Sequence, residues 1–192
     1  MISPVLLLIT IIIAFAAISF KAFIIVEKNE EAVIERFGNF SRVVGEGVHM
    51  IIPYFERIHG IDDPSNHKKY LNNGKISLEP AELEFPNDFR DFFCKDKDGF
   101  KIRAMISYRI TDPYKAVYEV DYLLDALNQL FAGIIQKKLV DLPKETDSFL
   151  FLQNFGEECK KIANDYSANW GVEILEFRLG QIIEKNGIRH NF

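Results

Sequence analysis

The sequence predicts an α+β protein: an N-terminal transmembrane helix, then antiparallel strands, then helices, then a closing strand. Three observations carry this. Ile2 to Phe20 hold no charged side chain. Lys101 to Ile110 alternates apolar and polar with the period of a half-buried strand. From Asp112 onward the apolar spacing lengthens to three and four, with cap residues at the breaks. Strands first, then helices, then one more strand argue against a wound parallel sheet.

The first segment reads I-S-P-V-L-L-L-I-T-I-I-I-A-F-A-A-I-S-F from Ile2 to Phe20. At about 1.5 Å per residue it spans roughly 29 Å, close to the ~30 Å hydrocarbon core of a bilayer. A core helix of a water-soluble domain carries a polar stripe, and this segment carries none. Pro4 falls in the first turn, where a missing N–H costs little. Lys21 is the first charge and is long enough to reach the interface. Ala14-Phe15-Ala16 resembles a signal-peptidase site, but no Lys or Arg precedes the apolar run as a signal peptide requires. A retained anchor is therefore expected over residues 1–23. Lys21, Lys28 and Arg36 follow the helix and nothing basic precedes it, which favours a cytoplasmic domain by the positive-inside rule.

Ile24–Val26 continue apolar, and Glu31–Phe37 reads as a strand. Gly38-Asn39 supplies a turn, and Phe40–Val44 returns as a hairpin partner. Gly45-Glu46-Gly47 is a second turn, ahead of short strands at Val48–Ile52 and Tyr54–Ile61 separated by Pro53. Asp62 to Lys75 is polar and reads as a loop, and Ile76–Phe85 as an edge strand broken by Pro80. On Lys101–Ile110, Ile102, Ala104, Ile106, Tyr108 and Ile110 share the core face. Asp98-Gly99 before it is a two-residue hairpin signal.

Asp112 is placed to cap a short helix with Pro113 in its first position. Asp121 precedes a second helix, Tyr122 to about Val140, with Leu123, Leu127, Leu130 and Ile134 on one face. A third opens at Asp147 or Ser148, with a stripe of Leu152, Phe155, Cys159, Ile162, Tyr166 and Trp170. Gly171 sits where a helix end calls for left-handed backbone. A last strand runs from Val172 to about Ile183. The 17 Phe among 192 residues predict a core built on aromatic packing.

The composition excludes more than it suggests. A net charge of −5 with mixed signs is no footprint for nucleic acid. Two cysteines, Cys94 and Cys159, make no disulfide framework. His49, His59, His67 and His190 do not pair at metal-ligand spacing, so no metal or cofactor is expected. Gly45 and Gly47 lack the lysine and the strand-to-helix setting of a phosphate loop. Cys159 lies on an apolar stripe where a small hydrophobe fits. Cys94, between Phe93 and Lys95, is the better placed for a reactive thiol. Asp62-Asp63 and Glu79, Glu82 and Glu84 look like solvated acidic faces. No catalytic residue is assigned.

In order along the chain, several stretches resemble the stomatin/prohibitin/flotillin superfamily, called SPFH or band 7, and its stomatin-like and HflK/HflC-like members in particular. They are Ile25-Val-Glu-Lys-Asn-Glu-Glu-Ala-Val-Ile-Glu-Arg-Phe-Gly38, Gly45-Glu-Gly-Val-His-Met-Ile-Ile-Pro-Tyr-Phe-Glu-Arg-Ile58, Asp98-Gly-Phe-Lys-Ile102, Ser107-Tyr-Arg-Ile110, Asp112-Pro-Tyr-Lys-Ala-Val117 and Asn169-Trp-Gly-Val-Glu-Ile174. Each is soft alone; their order and spacing are specific. The resemblance places an SPFH domain over residues 24–183 and a short tail over 184–192, without the helical coiled coil its relatives use to assemble. Cys94 to Gly99 stands where the family has a shorter Thr-Lys-Asp-Gly, and no cysteine flanks the anchor as a palmitoylation site.

Membership implies a non-enzymatic, membrane-anchored scaffold. It would organise membrane microdomains or regulate a membrane protease or channel. Its implied partners are membrane lipid and homo- or hetero-oligomers with other SPFH proteins. Two rival readings are a membrane-tethered hydrolase using Cys94 or a carboxylate pair, and an exported binding module released after Ala16.

Overall fold

The computed structural model describes residues 4–5, 8–10, 22–61, 71–72, 74–86, 91–93, 99–140, 148–184 and 189–191, the side chains at 71–72, 93, 99–100, 148–154, 181–184 and 189–191 excepted. Pro4, Val5 and Leu8–Thr10 are helical, and the rest of the expected anchor lies outside the described residues. Among the described residues no helix is long and apolar enough to cross a membrane. The chain divides into two units, residues 1–60 with 68–77 and residues 61–67 with 78–192.

From Phe23 onward, the regular elements of the first unit among the described residues are strands. They are β1 (Phe23–Val26), β2 (Glu30–Arg36), β3 (Asn39–Val44), β4 (Gly47–Met50), β5 (Glu56–His59), β6 (Leu71–Asn72) and β7 (Lys75–Ser77). Every pairing is antiparallel. β2 is central, with β3 on one side and β5 and β7 in succession on the other, and β6 pairs with β7. β1 and β4 form a separate ribbon. Val26, Ala32, Ile34 and Val44 make the small core, with Ile24, Ile51 and Ile58 packed on it. The turn between β2 and β3 falls at Phe37-Gly38, one residue before the expected place, because Asn39 already pairs with Arg36. Part of the expected loop at Asp62–Lys75 is a hairpin of β6 and β7, turned at Gly74 with φ 84°.

The second unit is a sheet carrying helices. Its strands are β8 (Ala81–Phe85), β9 (Asp91–Phe93), β10 (Gly99–Ile110), β11 (Val172–Glu184) and β12 (Arg189–Asn191). β10 is paired along one side by β8 and β9 and along the other by β11, which takes β12 on its far edge. All are antiparallel. The expected single strand Ile76–Phe85 is two strands, one in each unit. Pro80 has no N–H to give a ladder and stands between them. The β9–β10 connection is 94–98 rather than a two-residue turn, and lies outside the described residues. β12 adds a strand within the segment expected to be a tail.

The alternation on β10 holds: Ile102, Ala104, Ile106, Tyr108 and Ile110 are all buried. Helices α1 (Pro113–Tyr118), α2 (Leu123–Val140) and α3 (Ser148–Ser167) follow it. Asp112 caps α1, its Oδ1 accepting from Lys115 N at 3.2 Å. On α2 the expected Leu123, Leu127 and Ile134 are buried, together with Phe131 and Ile135, and Leu130 is only half-buried. On α3 the stripe runs Phe155, Cys159, Ala163 and Ser167, all at most 3% exposed, whereas Tyr166 is 56% exposed. The expected Ile162 and Tyr166 each stand one residue before the buried Ala163 and Ser167, about 100° round the helix from them. Phe177 gathers the aromatic core: Phe131 stacks on it at 4.9 Å, and Phe85 and Phe155 lie at 6.5 Å and 6.4 Å.

Candidate functional site

The residues weighed for chemistry do not converge. Cys94, Asp62, Asp63 and His67 lie outside the described residues, as does the side chain of His190. Cys159 is fully buried, and burial pushes its thiol up to about 12, which makes it inert at neutral pH. Glu79, Glu82 and Glu84 are exposed, and Glu82 accepts from Arg178 at 2.8 Å. Gly45 and Gly47 form the turn into β4, and His49 Nε2 lies 2.7 Å from the Gly45 carbonyl. Among the described residues no three His, Cys, Asp or Glu side chains stand together as metal ligands.

What the structure does assemble is in the first unit. Two carboxylates are buried there, Glu35 and Glu56, each with a side chain no more than 3% exposed. Burying an ionised carboxylate is expensive unless it is paired and its lone pairs are filled. The β2–β5 register provides the partners, setting Glu35 opposite Arg57 and Arg36 opposite Glu56. Arg57 Nε donates to Glu35 at 2.6 Å, and His59 Nδ1 lies 3.1 Å from its other oxygen. Glu56 Oε1 accepts from Arg36 Nε at 3.0 Å, Arg36 Nη2 at 2.6 Å and Arg42 Nη1 at 2.8 Å. Glu56 Oε2 accepts from Arg42 Nη2 at 3.2 Å and the Ile52 N–H at 3.0 Å. These bonds, Arg42's foremost, hold the Glu56 carboxyl down at about 2, and Glu56 in turn raises Arg42. Such forked, charge-assisted contacts fix geometry as well as charge.

Beside this cluster and its partly exposed arginines lies an apolar surface. Successive strand residues face opposite ways, so Ile24 and Val26 turn to the core and Phe23 and Ile25 turn out. Phe23 lies opposite Met50 and Ile25 opposite Val48, so the outer face of the ribbon is four apolar side chains, each at least 57% exposed. Beyond β4 the surface continues into Ile52, Tyr54 and Phe55, and across to Phe37 and Phe40, all exposed. The Phe37 N–H donates to the Phe55 carbonyl at 3.0 Å, and their rings lie 5.2 Å apart. The Ile51 N–H donates to the Ala22 carbonyl at 2.7 Å. The Pro53–Phe55 turn therefore lies at the end of the ribbon where the chain arrives from its charge-free first segment. Sequence reading missed this surface because strands packed on both sides show the same unbroken apolar runs. The aromatic residues at each turn, Phe37 and Phe40 at one and Tyr54 and Phe55 at the other, were the available signal.

Known proteins agree with this architecture. The model of the SPFH domain / Band 7 family matches residues 24–192. A stomatin homolog of Pyrococcus abyssi is 27% identical over 179 residues, 90% of this chain and 58% of that protein. A stomatin-like protein of Caenorhabditis elegans is 23% identical over 154 residues, 80% of this chain and 42% of that protein. An uncharacterized protein of Methanothermobacter thermautotrophicus is 23% identical over 173 residues, 90% of this chain and 48% of that protein. The chain thus spans about half the length of the curated relatives it matches. With its antiparallel sheets, its following helices and a match over most of its length, the chain belongs to the SPFH domain / Band 7 family.

Proposed function

We propose that this chain is a non-enzymatic, stomatin-like membrane scaffold, held by residues 2–20 as a bilayer-spanning anchor and resting its first unit on the membrane surface. The observation that carries the reading is the apolar outer face of the β1–β4 ribbon: Phe23, Ile25, Val48 and Met50. An exposed patch of this kind marks a surface that meets protein or lipid. Lipid is the favoured occupant because β1 begins only two residues, Lys21 and Ala22, after a run with no charge from Ile2 to Phe20. A chain leaving the bilayer at Ala22 delivers the ribbon straight to the interface. The basic residues Lys21 and Lys28 just beyond the run favour the cytoplasmic side for the domain.

As a scaffold, the chain would act through surfaces, assembling with itself or other SPFH proteins to organise lipid microdomains or regulate a membrane protease or channel. The stomatin names of two relatives support the general role. The test is fractionation of native membranes. The protein should stay in the pellet after carbonate washing, migrate as an oligomer in mild detergent, and crosslink to its partners there. A protein released by carbonate, or a clean monomer, would sink the anchor or the assembly respectively. A Val48→Asp, Met50→Asp double variant should keep the anchor yet expose the ribbon to water-soluble labels.

A further inference from the structure

We propose that Glu56 is the positioning residue of an aromatic tip, Phe37, Tyr54 and Phe55, that inserts into the interfacial layer of a lipid bilayer; the proposal rests on the membrane-scaffold reading above.

Two features set the tip apart from the rest of the apolar surface. The first is its backbone. Phe37 has φ 54° and Tyr54 φ 69°, in the left-handed region that bulky side chains rarely enter. Residues held there persist only where their surroundings over-determine them, and they concentrate at binding and switching sites. Here the strained conformation displays rings to solvent: Phe37 is 72% exposed and Tyr54 86%. Phe37 takes that conformation as the first residue of the two-residue Phe37-Gly38 hairpin turn, and Tyr54 as the third residue of the Ile52–Phe55 turn, positions that glycine usually fills. Aromatic rings with a polar edge, tyrosine above all, prefer the membrane–water interface, where one end is dry and the other wet.

The second is what holds the tip. Glu56 immediately follows it. Its carboxylate takes the N–H of Ile52, which opens the Pro53–Phe55 turn, and both arms of Arg36, which precedes Phe37. It also takes Arg42, whose Nη2 reaches the Met50 carbonyl at the end of β4 at 3.0 Å. One buried side chain thus ties together both turns of the tip and the end of the ribbon. The Phe37 N–H to Phe55 carbonyl bond then closes the two turns on each other. The Glu56 carboxylate also offsets one of the two positive charges of Arg36 and Arg42, which lowers the cost of bringing the neighbouring aromatic residues to a low-dielectric layer.

The test uses the full chain reconstituted in unilamellar phosphatidylcholine vesicles brominated on the acyl chains. Tyr54→Trp in a Trp170→Phe background gives a single reporter at the tip, and Val48→Trp in the same background gives one on the ribbon. Bromine should quench both. Adding Glu56→Gln should cut quenching at residue 54 by at least about twofold and speed exchange of the Ile52 amide about tenfold, since a charge-assisted network is lost. Quenching at residue 48 should not change. Arg42→Gln, which leaves Arg36 on Glu56, carries the same expectation should Glu56→Gln lose its far-UV dichroism. Quenching at residue 48 but not at 54 overturns the tip and leaves the scaffold reading standing. Quenching at neither overturns both. A reporter at 54 shielded from aqueous iodide yet unquenched by bromine marks a protein contact and also overturns the proposal. Undiminished quenching at 54 in the Glu56 and Arg42 variants removes the positioning role.

Discussion

Gly171 and Asp112 close on each other across the end of the 3-10 turn Ala168–Trp170 and the start of α1. The Gly171 carbonyl accepts from Thr111 N at 2.8 Å and from Asp112 N at 3.1 Å, and a Cβ placed on Gly171 would lie 2.4 Å from the Asp112 carbonyl oxygen. Gly171 is also left-handed, at φ 67° and ψ 32°. Gly171→Ala therefore meets a steric and a conformational obstacle together, and should cost about 2 kcal/mol or more. Asp112→Ala loses the cap on the Lys115 N–H and a long, exposed ion pair to the Lys115 side chain, and should cost about 1 kcal/mol. Denaturant titration of the full chain in mild detergent measures both, and equal costs would contradict this account.

The stacked pair Phe131–Phe177, 10° from parallel, is the middle of the second unit's core. Phe131 is fully buried. Phe131→Ala should destabilise by about 3–5 kcal/mol, through lost transfer energy and the cavity left behind. Phe131→Leu should cost clearly less. The same titration, read from near-UV dichroism, checks the order.

Glu56 gives the fold an acid dependence of predictable sign. Its carboxyl titrates near 4.5 when unfolded and at about 2 when folded. Between these values the unfolded chain binds the proton first, so stability falls as pH drops through the window, and is fully present above it. Glu56→Gln should be less stable than the parent at neutral pH. The gap between the two should narrow as the pH falls from about 4.5 to about 2. A gap that stays constant with pH would show that the ion pairs do not couple to folding.

Cys159 should resist alkylation in the native protein, since it is fully buried and its thiol is raised to about 12. Site-resolved mass spectrometry after iodoacetamide treatment should find it modified only when denaturant opens the unit. Modification at neutral pH without denaturant would contradict the packing of α3 on β11.

The elements that were legible in the sequence are those whose determinants are local. Asp112-Pro113 caps a helix by chemistry within four residues, Gly171 ends one by its own backbone, and β10 shows its buried face through its own alternation. The surface of the first unit was not legible, because its determinants are distant. Glu35 and Glu56 look like solvent-facing acids until strand register brings Arg57 and Arg36 to them from 22 and 20 residues away. Nor does an apolar strand such as Phe23–Val26 declare which of its faces is covered. The split of Ile76–Phe85 across two units escaped for a related reason: Pro80 marks a break, but a break does not say that the strands on either side join different sheets.

The β1–β4 ribbon has a mechanical consequence. A pull on Ala22 directed along β1 loads the ribbon lengthwise. The four paired positions, together with the Ala22 carbonyl bond to Ile51, then share the load in shear rather than opening one after another. A tug on the first segment is met by the whole ribbon at once, and the strain passes through β4 into the Pro53–Phe55 turn.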